Sequence, residues 1–173
     1  ACLFEASDLP EDELRSAAAG LDPAERARLV ADLAGRRANR RHKPGRGFEA
    51  LRYRFEIVSD YGAFRDLQRH RMLTIEWQRL TPNHGYTRPD LVDEAGAGGL
   101  FEETMRRSAR LFDDLKHEFP HQASYAVAMA YRLRYVMQFN AREAIHLLEL
   151  RSAPQGHPSY RRVVLEMHRL IAE

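Results

Sequence analysis

The chain has 173 residues, 44% of them hydrophobic and 30% charged, and its formal net charge is only +2. That apolar fraction excludes a disordered chain, the length suits one domain, and no apolar run approaches the roughly 20 residues a membrane-spanning helix needs. A single cysteine, Cys2, excludes a disulfide framework or a thiolate metal cage, so a cytoplasmic protein is expected.

Two short helices come first, Pro10 to Ala19 closed by Gly20 and Pro23 to Ala34 closed by Gly35, the second with Asp22 as its N-cap. The run Arg36 to Arg46 then places six fixed cations in eleven residues. It reads either as a solvated loop or as a site for a phosphate-bearing ligand. Among the 27 basic residues only Lys43 and Lys116 are lysines, leaving 25 arginines, the side chain suited to bidentate phosphate recognition. A codon preference for arginine produces the same excess. Periodicity next switches from about 3.6 to 2. Leu51, Tyr53, Phe55 and Ile57 alternate with Arg52, Arg54 and Glu56, the pattern of a half-buried strand. A helix from Tyr61 to Arg69, capped by Ser59 or Asp60, precedes a second strand carrying Leu73, Ile75 and Trp77. Thr81 to Pro89 is full of turn residues and predicts no regular structure.

An amphipathic helix follows from Leu100 to Glu118, with apolar positions Leu100, Met105, Leu111, Phe112 and Leu115, and then a helical turn over Gln122 to Val127. Tyr131, Leu133, Tyr135, Met137 and Phe139 form a third alternating strand. Asn140 caps a helix running to Arg151, and beyond the breaker Pro154 to Pro158 a last helix covers Ser159 to Ala172. The fold class is α+β, with strands separated by helices.

His117-Glu118-Phe119-Pro120-His121 spells a zinc-protease pattern, but that pattern needs both histidines on one face of an unbroken helix. Pro120 breaks it, and no metal site is expected. Arg69-His70-Arg71 reads as an anion clamp or as a surface charge cluster. Asn140, Arg142, His146 and Arg151 lie along one helix. Arg142 and His146 share a face, and Arg151, nine positions on, points roughly opposite to Arg142.

These residues resemble the flavin-dependent thymidylate synthases. Their signature centres on Arg-His-Arg, matched by Arg69-His70-Arg71, and a later Asn-x-Arg helix ending in Leu-Arg, matched by Asn140 to Arg151 about seventy residues on. Phe48-Glu49 with Tyr53-Arg54-Phe55 is similar to the strand leading into the signature. The resemblance implies a small antiparallel or mixed sheet flanked by helices, with residues 47-173 as the core and 1-46 as a helical segment and basic loop of the same domain. It further implies a homotetramer binding FAD, and transfer of a one-carbon unit from methylenetetrahydrofolate to dUMP, with NADPH as reductant, to give dTMP. By carry-over, Arg69, His70, Arg71, Asn140, Arg142 and His146 hold FAD, Arg151 contacts the uracil of dUMP in a neighbouring subunit, and His42 matches an upstream FAD-contacting histidine with its spacing displaced by about two residues.

The nucleotide half of the pattern departs from the family. Where a serine, an asparagine, a glutamate, a second serine and an arginine are expected, the chain has Thr74, Glu76, Trp77, Arg79 and Thr81, and Asp66 replaces a nucleotide-binding glutamine. Either Arg79 supplies the lost cation, or the domain keeps the fold without the full reaction, in a structural or assembly role. Tandem proteins with two such domains are known in the family, and the start at Ala1 without a methionine suits one half of such a pair. A nucleic-acid-binding module using Arg36 to Arg46 is the remaining alternative, weakened by the 25 acidic residues.

Overall fold

The computed structural model describes residues 2–173. Its helices and strands are α1 (Glu11–Gly20), α2 (Pro23–Ala34), β1 (Arg52–Asp60), α3 (Tyr61–Leu67), β2 (Leu73–Trp77), α4 (Asp90–Glu94), α5 (Gly98–Leu115), β3 (Arg132–Asn140), α6 (Ala141–Arg151) and α7 (Pro158–Ala172). The three stretches of period-two alternation become one antiparallel sheet in the order β1-β3-β2.

Because side chains alternate across a strand, Tyr53, Phe55 and Ile57 share a face with Leu73, Ile75, Leu133, Tyr135, Met137 and Phe139. Helices α3, α6 and α7 cover that face with Phe64, Leu67, Ala144, Leu147, Val164 and Met167, and this is the main core. The opposite face is polar and open, with Arg54 donating to Gln138 and Arg134 to Glu56. A second apolar cluster joins α5 to the start of β3 through Met105, Phe112, Val127 and Tyr131, whose hydroxyl donates to the Met105 carbonyl at 2.6 Å.

Local punctuation follows side-chain chemistry. Asp22 and Glu25 form a complete capping box at α2, and Gly35 beyond it has φ of 69°, a left-handed conformation that glycine adopts without strain. Of the two candidate caps for α3, Asp60 accepts from the Ala63 N–H at 2.8 Å, while the Ser59 hydroxyl lies 2.9 Å from that of Tyr135. Burial pushes the Tyr135 phenol up to about 12, against the opposing effect of the Ser59 hydrogen bond.

Several element boundaries differ from the sequence expectations. Helix α3 ends at Leu67, which frees Arg69-His70-Arg71 into the connection to β2. Helix α5 begins at Gly98 and stops at Leu115, with Leu100 and Leu111 on its solvent side, and His117 to His121 lies beyond its end. Gln122 to Val127 contains a 3-10 turn, Ala123–Ala126, and the Thr81 to Pro89 loop holds another, Pro82–His84, plus a bridge from Tyr86 to Tyr131. The five-residue α4 has no apolar period long enough to be read from sequence.

Candidate functional site

Both outer strands run antiparallel to β3, so the N-terminal ends of β1 and β2 lie beside the C-terminal end of β3. Arg52 pairs with Asn140, and Leu73 with Phe139. Three polar segments therefore converge at one end of the sheet: the basic loop before β1, Arg69-His70-Arg71 before β2, and Asn140 with α6 after β3.

They enclose a cavity of about 530 Å³ lined by seven fixed cations, Arg37, Arg40, Lys43, Arg69, Arg71, Arg142 and Arg151, and by two carboxylates, Glu49 and Glu143. The basic loop is pinned in place. Arg37 makes a bidentate pair with Glu149 of α6 at 2.7 Å, which raises the guanidinium's affinity for its proton. Arg142 donates to the Pro44 carbonyl at 3.1 Å and to Glu49 at 2.8 Å. Arg46 donates to the same carboxylate, and the two arginines hold Glu49 below the usual carboxylate range, Arg46 contributing most. At Gly45 an added Cβ would stand 2.4 Å from the Leu33 side chain, so the loop packs closely on α2 and a larger residue there would require Leu33 to shift.

Deeper in the cavity, His70 and Glu143 are both buried, and His70 Nδ1 lies 2.9 Å from Glu143 Oε1. Arg151 Nε donates to His70 Nε2 at 3.1 Å, and its Nη2 donates to the Asp66 carbonyl at 2.7 Å. An arginine only donates, so His70 Nε2 is the acceptor nitrogen and Nδ1 carries the proton given to Glu143. The Asp66 carboxylate lies 3.7 Å from both Arg69 and Arg151, and the Arg151 guanidinium sits 5.3 Å from the Tyr160 ring centre. The exposed His146 ring meets that of His70 edge-on at 5.7 Å.

His70, Glu143 and His146 also bring one ligand atom each within 4.8 Å of the others, a two-histidine, one-carboxylate set that sequence reading did not foresee. Two features oppose a cation there. Both ring nitrogens of His70 are already engaged, and seven fixed positive charges surround the cavity.

A family model described as "Thymidylate synthase complementing protein" matches residues 7–173. The chain belongs to that family. Among relatives, a UPF0159 protein of Chlamydia muridarum is 42% identical over 139 residues, 80% of this chain and 26% of its own length. One from Chlamydia pneumoniae is 42% identical over 79% of this chain and 26% of its own, and one from Thermoplasma acidophilum 40% over 76% and 27%. The chain thus spans about a quarter of the length of the curated relatives it matches.

Arg69, His70, Arg71, Asn140, Arg142, His146 and Arg151 all line the one cavity. Arg142 and Arg151 do leave α6 in different directions, toward the basic loop and toward α3, yet the cavity is long enough to reach both. Arg79 lies outside it, its guanidinium donating to the Pro120 carbonyl at 3.3 Å, and no residue from Thr74 to Thr81 lines it. His42 is likewise outside the lining; its Nδ1 accepts from the Ala38 N–H at 3.2 Å and helps shape the basic loop. Sequence reasoning missed Glu143 and assigned no ligand to Arg37, Arg40 and Lys43. Glu143 carried one signal, an acid three residues after an Asn N-cap, where a capping-box partner belongs.

Proposed function

We propose that this chain binds FAD in the cavity at the end of its sheet, as part of a flavin-dependent thymidylate synthase. The carrying observation is electrostatic. Of the seven cations, Arg37, Arg69, Arg142 and Arg151 face Glu149, Asp66, Glu49 and again Asp66, whereas Arg40, Lys43 and Arg71 have no carboxylate partner among the described residues. Three uncompensated cations around one concavity suit a ligand with more than one negative charge. The donor set fits FAD: guanidinium and ammonium groups for its pyrophosphate, the Asn140 amide, whose oxygen is already used as a cap, and His146 at the open side.

When bound, the flavin supplies the hydride chemistry, with NADPH as reductant and methylenetetrahydrofolate as one-carbon donor, for the methylation of dUMP to dTMP. The chain's own part is binding and orientation. Arg71, Arg40 and Lys43 hold anionic groups, Arg142 ties the floor of the cavity to the basic loop, and Arg151 presents a fixed edge of N–H donors to the nucleotide. The whole enzyme is a homotetramer, or pairs this domain with a second one of the same kind.

A second reading rests on one observation. Asp66 places a carboxylate between Arg69 and Arg151, where it competes with an incoming phosphate. This favours a domain that keeps FAD binding and assembly without methylating dUMP. Flavin fluorescence titration tests cofactor binding, and its absence at micromolar FAD removes both readings. Tritium release from labelled dUMP, with NADPH and methylenetetrahydrofolate present, separates them: release marks the synthase, its absence beside intact FAD binding marks the degenerate domain.

A further inference from the structure

We infer that Glu143 is a positioning residue, a buried carboxylate at the cavity wall that sets, through His70, where the Arg151 guanidinium stands in the cavity. The chain of contacts is continuous. Glu143 Oε1 lies 2.9 Å from His70 Nδ1, and His70 Nε2 accepts from Arg151 Nε at 3.1 Å. Glu143 and His70 side chains are 7% and 5% exposed, so water cannot replace either partner without opening the core.

The logic runs through one proton. Arg151 has no acceptor, so its Nε–H needs a bare nitrogen on His70. A carboxylate on the far side of the ring accepts from Nδ1–H and selects the tautomer that leaves Nε2 bare. Glu143 sits at N3 of α6, and the cap needs only the Asn140 side chain, which accepts from the Glu143 N–H at 2.8 Å. Its carboxylate is therefore spent entirely on His70. Arg151 is held further by the Asp66 carbonyl and the Tyr160 ring, with the Asp66 carboxylate 3.7 Å from Nη1, which fixes the donor edge it presents at the cavity. His70 acts in the same way, since neither of its ring nitrogens is free to bond a ligand.

The ligand half of this inference rests on the nucleotide reading proposed above; the tautomer half does not. The test has two arms on the full chain. Nitrogen-15 NMR of the histidine rings should show His70 protonated at Nδ1 and bare at Nε2; a proton on Nε2 overturns the relay. Titration with dUMP in the presence of FAD should show Glu143→Leu weakened about tenfold and Glu143→Gln, whose amide oxygen still accepts from Nδ1–H, within about threefold of the parent. If Glu143 acts through Arg151, Glu143→Leu adds no further loss in an Arg151→Gln background. Losses that add, or Glu143→Leu binding like the parent, contradict it. Should the parent chain itself fail to bind dUMP, the nucleotide reading falls and the NMR arm alone decides the relay, which also covers a Glu143→Leu chain that does not fold.

Discussion

Single side chains divide into those whose charge is already spent and those whose charge is free. Arg37 and Arg142 close ion pairs that build the cavity wall, while Lys43 and Arg71 face it without a carboxylate partner among the described residues. Exposed charges act through a screened field, so their effect on an anion depends on salt. Lys43→Gln and Arg71→Gln should each weaken FAD by about three- to tenfold at low ionic strength, with the gap to the parent narrowing near 0.5 M salt. Fluorescence titration at two salt concentrations checks this, and losses that ignore salt would point to packing instead. Tyr135 offers a second test at this scale. Its phenol is raised from 10 to about 12 by burial, so the folded chain keeps a proton that the unfolded chain releases. Stability from this group is complete below pH 10 and falls by about 1.4 kcal/mol per pH unit as pH rises from 10 toward 12. Urea unfolding at pH 9 and pH 11 should show a shallower decline for Tyr135→Phe, after an initial cost of about 1 kcal/mol for the lost hydrogen bond with Ser59.

Elements place these side chains, and the basic loop is the one whose position depends most on charge. Glu49 joins it to α6 through Arg46 and Arg142, which lower its proton affinity from the ordinary value near 4.5. A lowered carboxylate contributes stability above that value and loses it as pH falls through the folded one, so the loop should loosen below about pH 4.5. Hydrogen exchange or thermal unfolding between pH 6 and pH 3 should show this acid step in the parent and a smaller one in Glu49→Gln. The strands and long helices were legible in sequence because period-two and amphipathic patterns report which face is buried, as at Tyr53, Phe55 and Ile57. The meeting of Arg69-His70-Arg71 with Asn140 and Arg142 was legible only through family resemblance; antiparallel pairing of both outer strands with β3 is what brings them together. Glu143 was not legible, because its partner His70 is 73 residues away and nothing local distinguishes it from a capping acid. Arg79 and His42 stand apart from the cavity lining for a related reason: matching a motif position says nothing of which side of the sheet, or which turn, the residue occupies.

At the scale of the molecule, one compact core of sheet and three helices carries a cavity at one end, with the α1–α2 pair attached beside it. Leu14 is the sole buried residue of that pair among the described residues, so it should exchange its amide hydrogens ahead of the sheet. The small net charge of +2 conceals this arrangement, since 25 acidic residues are spread through a chain that gathers seven cations around a single cavity. The arginine excess thus splits between the lining of this cavity and ordinary surface pairs such as Arg169 with Glu166. This chain aligns with only about a quarter of each relative's length. The cavity proposed to hold FAD is formed by residues of this chain, so the most direct measurement is gel filtration of the purified chain after incubation with FAD, read at the visible flavin band. Flavin absorbance should travel with the protein and be lost in the Lys43→Gln, Arg71→Gln double variant; a colourless parent, with all the flavin in the small-molecule fraction, would rule out FAD binding in this cavity.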